Sequence, residues 1–116
     1  FDYGGARVEV LSPCPDYRRE HGPNDNSWIL RLRHGMHAAL LVGDAELHAE
    51  QALVVRHAGD LRADFLKVGH HGSRTSSSPA LLEAWRPHLA LISAGRGNSF
   101  GHPTADVVRR LGMGVQ

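Results

Sequence analysis

The 116-residue chain has a single cysteine, Cys14. That excludes an internal disulfide and any zinc site built from several thiolates. It has no run of about 18 apolar residues, so no membrane-spanning helix is expected. Phe1-Asp2-Tyr3-Gly4-Gly5 lacks the basic start and apolar core of a signal peptide. An excess of charge of either sign is also missing: the net charge is +1 with histidine neutral. The chain therefore has no general pull toward nucleic acid or acidic lipid, and any phosphate affinity must come from a local site. Internal repeats are absent, and the only biased segment is a short serine run.

What is present suits one small globular domain, with 41% hydrophobic residues. Nine histidines are many for this length. They favour metal or acid–base chemistry, with scattered surface histidines as the simpler account. Both ends read as cuts in something longer. The chain starts almost directly on a strand, and Gly112-Met113-Gly114-Val115-Gln116 reads as the entry to another.

Ala6-Arg7-Val8-Glu9-Val10-Leu11 alternates with period two and predicts a strand. A long polar loop with Pro13, Pro15, Gly22 and Pro23 follows, and long loops are often functional. Trp28 to Arg33 is a strand with an imperfect apolar pattern, and Ala38 to Val42 is a fully apolar one. Gly35-Met36 between them predicts a hairpin turn. Ala45 to Ala58 reads as a helix with Leu47, Leu53 and Val54 on its apolar face and Gly59 as its stop. Ala63 to Val68 is the next strand. Ser78-Pro79 caps and opens a helix to Arg86, Leu89 to Ala94 is a buried-type strand, and Pro103 opens a third helix ending near Gly112. Alternation of strand and helix from Asp44 onward predicts a layered α/β fold whose sheet is at least partly parallel. Ligands of such sheets collect beyond the carboxyl ends of the strands.

Three successive strand ends carry chemically useful residues: Asp44, then His70 and His71, then the Gly95–His102 loop. Asp44 could bridge two cations or simply cap the following helix. His70 and His71 stand between Gly69 and Gly72 in KVGHHGSRTSSS. Neutral imidazoles bind zinc or manganese. On an extended chain the two rings would point apart, so one would reach an ion and the other would meet substrate or relay a proton. A solvated turn is the alternative. The hydroxyls from Ser73 to Ser78, with a helix start behind them, suit a phosphate or else an ordinary capped loop. His102 precedes the third helix and is placed to act as acid, base or substrate donor, or to belong to a structured turn. Asn24-Asp25-Asn26-Ser27 reads first as turn-forming.

Four stretches occur in one order: NDNSWILRLRHG, LLVGDAE, ADFLKVGHHGSRTSSS and LISAGRGNSFGHP. Together they resemble the metallo-β-lactamase-like domain of ComEC-type competence (DNA-uptake) proteins, over roughly residues 8 to 112. The resemblance implies an αββα sandwich with a two-metal site at strand ends. It makes Asp44 the bridging carboxylate and His70 the last histidine ligand, with His71 beside the metal or facing substrate. Asn24 or Asn26 falls where many superfamily members have a histidine ligand. Asn98 and His102 match a loop near the site. On this basis His71 and His102 are the catalytic candidates, Ser73, Asn98 and Asn26 the substrate-binding ones, and Asp44 and His70 the metal ligands.

The superfamily's His-x-His-x-Asp-His motif has no counterpart here; His34 and His37 lack the following Asp-His. The resemblance is thus to the carboxyl-terminal half of the domain, a mixed sheet with flanking helices. Two ligands do not close a site that needs about four. The implied activity is metal-dependent phosphodiester hydrolysis, with zinc or manganese and single-stranded DNA, in the complete domain of a bacterial inner-membrane protein, on its extracytoplasmic side. The fragment alone should be inactive and metal-free or weakly metal-binding. The implied partners are the missing half and the parent's membrane channel domain. Exposed Leu40, Leu66 and Leu91 on an uncovered sheet face should make the fragment self-associate. Two other readings are a hydrolase of another phosphoester, such as phosphorylcholine, and a non-catalytic binding or assembly module.

Overall fold

The computed structural model describes residues 1–13 and 17–114. Six strands, β1 (Asp2–Tyr3), β2 (Ala6–Ser12), β3 (Ile29–His34), β4 (His37–Leu41), β5 (Phe65–Lys67) and β6 (Leu89–Leu91), form one sheet in sequence order. β1 to β4 are antiparallel neighbours, whereas β4, β5 and β6 are parallel. The parallel strands are joined through α1 (Leu47–Arg56) and α2 (Pro79–Trp85), and α3 (Ala105–Gly114) follows β6. The expected mixed α/β sheet with flanking helices is therefore observed.

Register explains the broken pattern of β3. Glu9, Arg31, Leu40, Leu66 and Ala90 lie in one row across the sheet. Leu40 and Leu66 are buried there with Leu53, Leu81, Trp85, Val107 and Leu111 from the helices. The neighbouring rows point the other way: Val8, Leu32, Ala39, Phe65 and Leu89, then Val10, Leu30, Leu41, Lys67 and Leu91. Both faces are apolar, so β3 alternates Ile29 and Arg31 with Leu30 and Leu32 rather than apolar with polar. Arg31 is buried on the helix face because Glu9 Oε2 accepts from its Nε at 2.6 Å and the Asp60 carbonyl from its Nη1 at 2.6 Å.

The helices share one face, and that corrects the expectation for Leu40 and Leu66. Both are fully enclosed, and only Leu91 of the three is exposed. The molecule measures 39 × 36 × 25 Å, a two-layer slab.

Local chemistry sets most boundaries. Gly35 takes φ +57° in the two-residue turn between His34 and His37, the expected hairpin. Ser78 Oγ accepts from Leu81 N–H at 3.2 Å and Pro79 occupies the first turn of α2, as expected. α1 begins at Leu47 rather than Ala45, and α3 at Ala105 rather than Pro103. Gly112 to Gly114 continue α3 instead of entering a strand, and residues 115–116, with the expected strand entry, lie outside the described residues. The structure describes none of Cys14, Pro15 or Asp16, which fall in the expected long loop.

Candidate functional site

The parallel strands β4, β5 and β6 direct their carboxyl ends to one edge, and Asp44, His70–His71 and the Gly95–His102 loop follow those ends. The histidine pair sits in a tight turn, Gly69–Gly72, not on extended chain. His70 has φ 44° and His71 φ 55°. Two successive non-glycine residues in the left-handed region carry strain of about 1–2 kcal/mol each. The turn is held in place by His70 N–H donating to the Gly43 carbonyl at 3.0 Å. It is also held by Ser76 Oγ donating to the Gly69 carbonyl at 2.8 Å. The rings do not diverge as an extended backbone would require. Their centroids are 6.3 Å apart, and His70 lies 5.7 Å from His102.

Each histidine is fixed by its Nδ1. His71 Nδ1–H donates to the Ser93 carbonyl at 2.7 Å, which leaves the Nε2 lone pair free. That Nε2 lies 3.6 Å from Asp44 Oδ1, and both side chains are about half exposed. His70 Nδ1 lies 3.0 Å from Glu46 Oε1, and the same oxygen accepts from Thr75 Oγ1 at 2.7 Å. Glu46 was not singled out from the sequence, although it stands two residues beyond Asp44 in LLVGDAE. A carboxylate on the far ring nitrogen is the usual companion of a metal-binding histidine.

Asp44 does not cap α1. Asp25 does, from the loop before β3: its Oδ1 accepts from Glu46 N–H at 3.0 Å and Ala49 N–H at 3.2 Å. Asp44 is thereby left facing His71. Among the described residues no group of three or more His, Cys, Asp or Glu side chains converges closely enough to hold a metal ion. The Asp44–His71 pair, with one free imidazole lone pair beside one free carboxylate, fits a divalent cation chemically and supplies two donors of the four or so required.

The hydroxyl stretch turns inward. Ser76, Ser77 and Ser78 are buried, and the backbone N–H groups of Ser77 and Ser78 donate to the Glu50 carboxylate at 2.5 and 2.8 Å. An internal carboxyl group therefore occupies the start of α2, where a bound phosphate was the alternative. Burial raises the Glu50 pKa, against the opposing hydrogen bonds from Ser78 and Ser77.

The three substrate-binding candidates are bonded within the scaffold. Ser73 Oγ pairs with Thr75 Oγ1 at 3.0 Å. Asn26 is buried and donates to the Arg18, His21 and Gly22 carbonyls, so it shapes the loop. Asn98 donates to the carbonyls of Gly95 and His102, and its Oδ1 accepts from the N–H groups of Phe100 and His102. The loop so held is stitched to the histidine turn, because Thr104 N–H donates to the Gly72 carbonyl at 2.9 Å. A Cβ on Gly72 would stand 2.6 Å from Pro103 Cβ. His102 has an enclosed Nδ1 without a hydrogen-bond partner among the described residues.

Competence protein ComA of Neisseria gonorrhoeae is 39% identical over 111 residues, 96% of this chain and 16% of that protein. The chain is homologous to one segment of a competence protein. Recombination protein 2 of Haemophilus influenzae is 40% identical over 96% of the chain and 14% of its own length. ComE operon protein 3 of Bacillus subtilis is 38% identical over 90% and 13%. The homologous segment is therefore a small part of each relative. No protein-family model matches the chain. Among the described residues no helix is long and apolar enough to cross a membrane. The strand-end cluster thus lies in a stretch that recurs within much longer competence-type proteins.

Proposed function

We propose that the chain is the carboxyl-terminal half of a metallo-β-lactamase-like domain in a ComEC-type competence protein, and that the complete domain hydrolyses phosphodiester bonds of single-stranded DNA. Its site takes two divalent ions, zinc or manganese, with the remaining ligands on the missing half. The observation that carries this reading is the Asp44–His71 pair, a carboxylate facing an imidazole whose Nδ1 is committed to Ser93. When bound, the ions would supply Lewis-acid activation of water and charge stabilisation of the leaving oxygen.

Asp44 offers its carboxylate to the ions. The geometry favours exchanging the two histidine roles expected from the family: His71 would share an ion with Asp44, while His70, held by Glu46, which Thr75 bonds in turn, would present Nε2 alongside. His102, 5.7 Å from His70, meets the substrate phosphate or relays a proton. Ser73, Asn98 and Asn26 serve substrate indirectly, by fixing the turns that carry the reacting groups. The uncovered apolar sheet face receives the missing half. The parent's membrane channel takes the strand on the extracytoplasmic side.

Calorimetric titration with manganese and zinc tests the assignment. The chain alone should bind weakly, Asp44→Ala and His71→Ala should abolish binding, and His70→Ala should weaken it less. A version extended upstream through the missing half should bind tightly and cleave single-stranded DNA in preference to phosphorylcholine esters. No metal binding by the extended form would transfer the weight to the second reading, a binding or assembly module. That reading draws on the bare sheet face.

A further inference from the structure

We infer that Phe100 and His102 form a stacking site for a nucleobase, so that the strand-end cluster takes a nucleotide unit and not an isolated phosphodiester; this rests on the hydrolase reading and names its substrate class. Phe100 is 79% exposed. A single exposed apolar side chain needs no explanation in general. This one stands on a fixed backbone. Asn98 Oδ1 accepts from Phe100 N–H at 3.2 Å and from His102 N–H at 3.0 Å, so one amide holds the backbone that carries both rings. Asn98 Nδ2 anchors the same loop to Gly95 and His102 carbonyls at 2.8 and 2.6 Å. Gly97 and Gly101, at φ 68° and 71°, give the turn its shape on either side.

The two rings are nearly parallel, with centroids 5.9 Å apart and an interplanar angle of 17°. The two rings stack, and Phe100 is the solvent-facing one. The pair adjoins the site, since His102 is 5.7 Å from His70, which is 6.3 Å from His71. A base stacked on Phe100 would extend this row of rings outward from the imidazoles. Arg74 and Arg96, both exposed, belong to the two turns that border this path. Stacking on an aromatic side chain tolerates any base, because each has a π-face. That suits a strand taken without regard to sequence. Aromatic faces also attract quaternary ammonium groups, so phosphorylcholine is the natural competitor.

The test is an NMR titration of the 116-residue chain with three probes: a short oligothymidylate, the abasic oligomer with the same number of phosphates, and phosphorylcholine. Phe100→Ala and Phe100→Trp are compared with the native chain. The side chain is exposed, so folding is not at stake. The expected result is an affinity about fivefold or more higher for oligothymidylate than for the abasic strand. Phe100→Ala should erase that preference and Phe100→Trp should keep it. Equal affinity for both strands, unchanged in Phe100→Ala, would overturn the stacking site and leave a phosphate-directed hydrolase standing. Binding of phosphorylcholine alone, dependent on Phe100, would replace the base by a cationic headgroup. Binding of no probe would overturn the stacking site, while the hydrolase reading is tested separately on the extended form.

Discussion

The strain in the Gly69–Gly72 turn links conformation to chemistry at single residues. His70 and His71 adopt φ of 44° and 55°, a region that glycine enters freely and histidine does not. Replacing His71 by glycine removes strain of about 1–2 kcal/mol and one partly exposed hydrogen bond worth about 1 kcal/mol. The two nearly cancel. His71→Gly should therefore change thermal stability little, while metal binding disappears; a loss of several degrees in melting temperature would mean the ring is structural. Gly72 makes the opposite case. Its φ is +83° and an added Cβ would meet Pro103 Cβ at 2.6 Å, whereas Gly101, at φ +71°, has nothing within 4 Å. Gly72→Ala should cost about 2–4 kcal/mol, from overpacking added to backbone strain. Gly101→Ala should cost only the strain, about 1 kcal/mol. Equal costs in chemical denaturation would show that the contact between the two motifs does not matter to the fold.

At the scale of elements, two carboxylates tie neighbours together: Glu50 joins α1 to the start of α2, and Glu9 joins β2 to β3. Glu50 receives the N–H groups of Ser77 and Ser78 inside the protein. Glu50→Ala would leave two buried donors unsatisfied and should cost about 2–4 kcal/mol. Its pH signature has a definite sign. Burial raises the Glu50 pKa above 4.5, so its contribution is complete below that value and is lost as pH rises through the folded pKa. Glu9 behaves oppositely: the hydrogen bond from Arg31 lowers its pKa from 4.5, so its contribution is present above that value and is lost as pH falls through the folded pKa. Unfolding titrations across this range should show the advantage of the native chain over Glu50→Gln shrinking with rising pH, and its advantage over Glu9→Gln growing. The elements themselves were largely readable. Ser78-Pro79 announced α2 and Gly35-Met36 announced the hairpin because cap and turn chemistry are local. The start of α1 was not readable. Its cap, Asp25, is distant in sequence, so Asp44 looked like the capping residue. The left-handed histidines and the inward serines were hidden for the same reason, since the Gly43 carbonyl and the Glu50 carboxylate that hold them come from other elements.

For the whole molecule, the deciding fact is that, among the described residues, one sheet face carries all three helices and the other carries none. Sequence patterning cannot tell the faces apart here, because Leu30 and Leu32 alternate with Ile29 and the paired Arg31. Register is needed to see that Leu40 and Leu66 are covered while Val10, Phe65, Leu89 and Leu91 are not. Contiguous apolar surface of this kind is normally buried against a partner. In the parent protein that partner is the missing half of the domain, on the reading proposed above; in the isolated chain the available cover is a second copy. Two identical faces can meet about a two-fold axis, with Lys67 on each face as the principal obstacle. The isolated chain should therefore dimerise, weakly near neutral pH and more strongly at high ionic strength, where repulsion between the Lys67 ammonium groups of the two faces is screened. Sedimentation equilibrium measures this directly. Val10→Lys combined with Leu91→Lys should give a monomer with an unchanged melting temperature, because both positions are exposed and neither joins the core. A native chain that stays monomeric at high concentration and high salt would mean the bare face is stable in water, and the dimer would have to be abandoned.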